Sequence, residues 1–102
     1  VDVGYPLEGE DGSARRFRPA TGKRLDVDRA WQLVDAFLDT GAVRYIFMDY
    51  SIQEQIYEHA KSRGVPRSRL DELFQYPRGR RRAYGIIRDD PGHDDHFHVR
   101  FK

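Results

Sequence analysis

The nine residues before Lys102 constrain the fold more than any other segment, because polar and apolar side chains alternate along the last six of them. They read His93-Asp94-Asp95-His96-Phe97-His98-Val99-Arg100-Phe101. Successive side chains of a β-strand point to opposite faces of the sheet, so this alternation predicts a strand over residues 95–101. We expect one face of that strand to enter the core with Phe97, Val99 and Phe101. We expect the opposite face to carry His96, His98 and Arg100.

The first half of the chain contains one clear helix pattern and one clear strand pattern. Apolar residues at helical spacing predict a helix that begins at Asp26 or Asp28 and ends before Gly41. The β-rich run over residues 43–48 is nearly continuous in its apolar half and predicts a central strand.

The second half adds two helices and a short strand. Ser51 and Glu54 have the spacing of a capping box and predict the start of a helix that ends at Gly64. A third helix is predicted from about Pro66 to Phe74, and a short strand near residues 84–88.

The order of these elements favours one small α+β domain over residues 1–102. The opening Val1–Tyr5 alternates like a half-buried strand, and residues 6–24 have the composition of a long polar loop. We therefore expect a small, mainly antiparallel sheet flanked by about three helices. No apolar run approaches the ~18 residues that a membrane span requires, and none is predicted.

The charge balance does not favour a polyanionic partner. Eighteen basic residues face 17 acidic ones, for a net charge of +1. A basic loop with nearby aromatic residues is nevertheless compatible with phosphate binding and base stacking; it contains Arg78, Arg80, Arg81 and Arg82, with Tyr76 and Tyr84 beside it. Because the net charge is so small, nucleic acid is not predicted as a partner. The absence of cysteine excludes thiolate metal sites and a cysteine nucleophile.

The pair His96 and His98 could meet at one metal ion. Imidazoles at positions i and i+2 of a strand stand about 6–7 Å apart at the backbone, and neutral imidazole is a favoured zinc ligand. Asp94 and Asp95 could orient the imidazole N–H groups, and Arg100 on the same face could contact a substrate. The same pattern also fits solvated histidines on an edge strand.

A catalytic zinc site needs a third protein ligand and an open position for water. Asp2 is the candidate, because it interrupts an otherwise apolar strand. If the first and last strands pair, Asp2 can lie across from His96 and His98, on the neighbouring strand. The alternative is a surface aspartate near the start of the chain.

These segments resemble a known family. The run from His93 to Arg100 closely resembles the last motif of penicillin-insensitive murein endopeptidases, zinc peptidases of the group that includes D-Ala-D-Ala carboxypeptidases and lysostaphin-type enzymes. Residues 1–5 resemble the end of that family's first motif. The stretch from residues 25–28 to residues 75–80 looks like the bacterial branch, so the resemblance covers most of the chain.

The resemblance implies zinc-dependent hydrolysis of the peptide cross-links of bacterial peptidoglycan. It implies that Asp2 and His98 are zinc ligands, that His96 is a base or electrostatic stabiliser beside the metal, and that His93 positions water or substrate. In the family a histidine precedes the ligand aspartate by seven positions, which here falls before Val1. The chain is therefore expected to be the C-terminal portion of the catalytic domain, with impaired activity in this form. A periplasmic or secreted location follows from the substrate.

A non-catalytic module that binds peptidoglycan or peptides with the same fold remains an alternative. Among the other conspicuous residues, His59 is expected on a helix surface and outside the site. Four apolar residues are expected in the core: Trp31, Phe37, Leu38 and Phe47. Tyr45 and Tyr50 could line the cleft. The oligomeric state is not predicted.

Overall fold

The computed structural model describes residues 1–10 and 17–102. The predicted order of elements is confirmed in this part of the chain: β1 (Asp2–Gly4), α1 (Val27–Asp39), β2 (Val43–Phe47), α2 (Tyr50–Ser62), α3 (Arg67–Leu73), β3 (Ile87–Arg88) and β4 (His96–Phe101). The strands form one sheet in the order β1-β4-β2-β3. Two of its pairings are antiparallel and β2–β3 is parallel. The α+β class is confirmed, with a mixed sheet that is mainly antiparallel. Among the described residues, no helix has the length and hydropathy of a membrane span.

The helix starts follow from side-chain caps. Asp26 caps α1, where its carboxylate accepts a hydrogen bond from Arg29 N at 3.2 Å. The capping box predicted at Ser51 is wrong: α2 begins at Tyr50, and its cap is Asp49. The Asp49 carboxylate accepts hydrogen bonds from the backbone N–H groups of Ser51 and Ile52, at 2.9 and 3.3 Å. Because Asp49, the residue before the helix, accepts from these N–H groups, α2 begins one residue before Ser51.

The core lies between the three helices and one face of the sheet. The sheet contributes Ile46, Ile87, Phe97 and Val99, and the helices contribute Trp31, Val34, Ile52, Ile56 and Leu70. Burial of this apolar surface is the main stabilising contribution of the fold. Leu38 and Phe37 are only partly buried against this cluster.

Two core predictions are wrong. Phe101 is 45% exposed, because it is the last residue of β4 and the Phe37 ring, 6.3 Å away, covers only part of it. Phe47 is only half-buried, because strand alternation turns its neighbours Ile46 and Met48 inward and Phe47 toward the opposite face.

The segment predicted as a long polar loop is anchored at both of its described ends. Leu7 forms an antiparallel bridge with Leu25, and the buried Ala20 donates its N–H to the Asp94 carbonyl at 2.8 Å. These contacts hold the loop beside the turn that precedes β4. The part of the prediction that concerns residues 11–16 lies outside the described residues.

We expect Gly85→Ala to lower the free energy of unfolding by about 2–5 kcal/mol. Gly85 has φ +83°, and a Cβ there would lie 2.8 Å from the Phe74 carbonyl carbon and 2.9 Å from Gln75 N. Both are backbone atoms of the segment that follows α3, so neither can rotate away. Urea unfolding followed by circular dichroism measures the change.

Gly92→Ala is the matched control. Gly92 has φ +86°, but nothing lies within 4 Å of the position its Cβ would take. This variant keeps the backbone strain, about 1–2 kcal/mol, without the collision. Equal destabilisation of the two variants would contradict the role assigned to Gly85.

Candidate functional site

Four side chains form a row across the whole sheet, on the face opposite the helices. Asp2 pairs with His98, His98 with Phe47, and Phe47 with Arg88. Residues paired across neighbouring strands point to the same side of a sheet. We call this surface the histidine face; it consists of Asp2, Tyr45, Phe47, Arg88, His96, His98 and Arg100. The predicted alternation of β4 is confirmed for its four residues His96–Val99.

The centre of the histidine face is the contact between Asp2 and His98. The first and last strands do pair, which was the condition for Asp2 to lie across from the histidines, and this pairing brings Asp2 Oδ1 to 2.6 Å from His98 Nδ1. Both side chains remain partly exposed. The hydrogen bond from His98 holds the pKa of the Asp2 carboxyl below its usual value. A deprotonated carboxylate and an imidazole nitrogen, both metal-ligand types, therefore meet at one point.

His96 lies beside this pair, with its ring held from both sides. Its Nδ1 is 2.6 Å from Asp95 Oδ1, and its ring stacks on Phe17 with centroids 5.1 Å apart. Its other nitrogen, Nε2, is 4.0 Å from Asp2 Oδ1. Asp95 therefore contacts Nδ1 of His96, and Nε2 faces the centre of the histidine face. A carboxylate that orients an imidazole ring in this way is what we expected of Asp95.

His93 approaches the same centre from the turn before β4. Its ring is 4.8 Å from that of His96 and 6.4 Å from that of Phe47. Its Nδ1 lies 2.9 Å from the Asp90 carbonyl oxygen. The buried Tyr5 hydroxyl donates to the His93 carbonyl at 2.8 Å, and burial raises the pKa of Tyr5, so this donor stays protonated.

The remaining predicted residues lie farther from the centre. Arg100 is exposed on the histidine face, opposite Tyr45. Asp94 contributes its backbone carbonyl, which anchors Ala20. His59 is outside the face, on α2, where its Nε2 contacts Asp28 Oδ1 at 3.0 Å.

Sequence reasoning missed four contributors to the site. Phe17 and Phe47 stack on the histidine rings, Tyr5 holds the His93 backbone, and Arg88 ends the row. In the nearly continuous apolar run of β2, no sequence signal distinguishes Phe47 from its buried neighbours Ile46 and Met48.

The donor set fits part of a catalytic zinc site. In a tetrahedral site with ligand distances near 2.1 Å, two ligand atoms stand about 3.4 Å apart, so Asp2 Oδ1 and His98 Nδ1 would have to separate by less than about 1 Å from their present distance of 2.6 Å. Side-chain rotation of two partly exposed groups allows this. Across residues 1–10 and 17–102, however, no group of three or more His, Asp or Glu residues is arranged to hold a metal ion. The described residues supply two ligands.

The arginine loop, residues 76–84, is a second polar feature. The Arg78 guanidinium lies 3.7 Å from the centre of the Tyr84 ring, and that of Arg80 lies 5.2 Å from the Tyr50 ring. Arg78, Arg82 and Tyr84 line an open cleft of about 490 Å³. Tyr50 thus lies against this loop, whereas Tyr45 lies on the histidine face.

Gln75 holds the arginine loop in place. Its side chain is buried, and its Nε2 donates to the Arg80 and Arg82 carbonyls at 3.0 and 2.8 Å. Its Oε1 accepts from Asp89 N and from Gln53 Nε2, at 2.6 and 3.2 Å. One amide therefore connects the loop, α2 and the end of β3.

A scan against protein-family models, a search of curated proteins and a search of solved structures each gave no match to this chain.

Proposed function

We propose that this chain carries residues of a zinc-dependent peptidase site that hydrolyses peptide cross-links in bacterial peptidoglycan. The observation that carries the proposal is the contact of Asp2 Oδ1 with His98 Nδ1 at 2.6 Å. The side chains His93 and His96 surround it on an open sheet face. The resemblance of the motifs around these four residues to murein endopeptidases supplies the substrate class, and with it a periplasmic or secreted location.

The resemblance to murein endopeptidases gives each residue a role, and the contacts of each residue are compatible with it. Asp2 and His98 would hold the zinc ion, and in the family's pattern the third ligand is a histidine seven positions before Asp2. When bound, zinc supplies a Lewis acid that lowers the pKa of water and stabilises negative charge on a carbonyl oxygen. His96 presents Nε2 for proton transfer because Asp95 occupies its Nδ1. His93, fixed by Asp90 and Tyr5, would orient the substrate or the attacking water.

A module that binds peptides without cleaving them is the second candidate. One observation favours it: the described residues provide only two converging ligands, and the hydrogen bond between Asp2 and His98 satisfies both without a metal. In such a module the aromatic rings of the histidine face would contact the peptide. Its binding to isolated peptidoglycan would survive a His98→Ala change.

Hydrolysis of purified cross-linked muropeptides distinguishes the two. We define the extended chain as residues 1–102 preceded by a segment with a histidine seven positions before Asp2. We expect the extended chain with zinc to convert the dimers to monomers, as measured by mass spectrometry. We expect chelation of zinc to stop the reaction, and residues 1–102 alone to be slower by at least ~100-fold.

Cleavage that persists in the absence of any divalent metal would contradict the proposal. An extended chain that binds zinc and peptidoglycan but cleaves none of the dimers would also contradict the proposal. That result would favour the binding module. His59→Gln in the extended chain is the control, since His59 lies outside the histidine face and this variant should keep full activity.

A further inference from the structure

Arg88 ends the row of side chains that crosses the histidine face. It pairs with Phe47, which in turn pairs with His98. Its guanidinium carbon lies 4.6 Å from the centre of the Tyr45 ring, and its Nε donates to the Gly85 carbonyl at 2.8 Å. The ring and the backbone bond restrain the guanidinium. Among residues 1–10 and 17–102, neither terminal nitrogen of Arg88 has a hydrogen-bond partner.

No carboxylate in the described part of the chain forms an ion pair with this arginine. Within the described residues, no Asp or Glu oxygen lies within 4.0 Å of the Arg88 guanidinium. Arg88 is only partly exposed, although arginines that are withdrawn from water are normally paired. A guanidinium placed over an aromatic ring, with its terminal nitrogens open, can bind a carboxylate through two parallel hydrogen bonds.

The distance between Arg88 and His98 determines how long a peptide must be to contact both residues. The two residues are separated by two strand spacings, about 10 Å. An extended peptide covers that distance in about three residues, at 3.3–3.6 Å each. The surface between them is apolar, because Phe47 and Tyr45 form it with ring centroids 5.8 Å apart.

We propose that Arg88, which lies over Tyr45, is a carboxylate-binding subsite that positions a peptide across the histidine face. It would select peptides with a free carboxylate about three residues from the part of the peptide that lies over His98. The peptide substrate class rests on the proposed function, but binding at this subsite requires neither zinc nor catalysis. Stem peptides of peptidoglycan carry free carboxylates and match this chemistry.

Equilibrium binding to metal-free protein tests the subsite. The probes are acetylated tetra-alanine with a free C-terminal carboxylate, the same peptide as its C-terminal amide, and an amidated peptide with glutamate as the last residue. Titrations in EDTA are followed by NMR. We expect the free acid to bind about tenfold more tightly than the amide. The glutamate peptide shows whether a side-chain carboxylate serves as well as a terminal one.

Arg88→Gln should reduce the acid-to-amide ratio to about one, and Arg88→Lys should restore part of it because it keeps the charge without the planar fork. Arg67→Gln is the matched control: it removes one positive charge from α3, behind the core, and should keep the ratio. Circular dichroism checks that each variant is folded.

Equal affinity for acid and amide in the unaltered protein, binding of neither, or the same ratio in Arg88→Gln would overturn the subsite. These results are separable from the proposed function. A chain that cleaves muropeptides without preferring the acid refutes only the subsite. A chain that prefers the acid but never binds zinc refutes only the peptidase.

Discussion

Replacing His98 with alanine in the extended chain is expected to weaken zinc binding by more than about 100-fold. The reason is that His98 Nδ1 and Asp2 Oδ1, which meet on the histidine face, are the ligand atoms of the proposed site, and one carboxylate with one distant histidine does not retain zinc. Competition with a chromophoric chelator measures the affinity.

His96→Ala is the matched control for this prediction. It removes the same side chain from the same face of β4, two residues away, but its Nε2 stands 4.0 Å from Asp2 Oδ1 and its Nδ1 is held by Asp95. We expect zinc affinity to fall by less than about tenfold, while hydrolysis of cross-linked muropeptides is lost. If His96→Ala lost zinc and His98→Ala kept it, the assignment of ligand and proton carrier would have to be exchanged.

The second large effect is expected from Gln75→Leu, which should lower the free energy of unfolding by about 3–5 kcal/mol. Leucine has a similar volume but cannot replace the bonds of the buried amide. The Arg80 and Arg82 carbonyls would lose their donor, and Asp89 N would lose its acceptor. Each buried polar group without a partner costs about 1–3 kcal/mol. Urea unfolding at constant pH measures the change.

Gln32→Leu provides the comparison. Gln32 lies on the exposed side of α1, where its amide donates to Asp28 Oδ2 at 2.9 Å. Loss of this surface bond should change the free energy of unfolding by about 0.5 kcal/mol or less. A Gln75→Leu protein as stable as Gln32→Leu would show that the arginine loop does not depend on the buried amide.

The parts of the site that were predictable depend on local periodicity. Alternation over six residues was enough to place His96 and His98 on one face with Phe97 inside. The same reasoning failed at Phe101, where the strand ends and the helices no longer cover it. It also failed at Phe47, because in a nearly continuous apolar run the sequence does not show which residues face the core.

The missed residues owe their positions to contacts between distant parts of the chain. Arg88 belongs to a strand of only two residues, and its place in the row depends on the parallel pairing of β3 with β2. Tyr5 reaches His93 across 88 positions in sequence. Asp2 was suggested locally as a polar interruption, but its contact with His98 required the pairing of strands at opposite ends of the chain.

Binding of zinc by Asp2 and His98 together can be observed by anomalous X-ray diffraction at the zinc absorption edge, from crystals of the extended chain grown with zinc. We expect one strong peak about 2.0–2.2 Å from both Asp2 Oδ1 and His98 Nδ1. An Asp2–His98 contact still at 2.6 Å with no peak beside it, or with the zinc bound elsewhere on the chain, would contradict it.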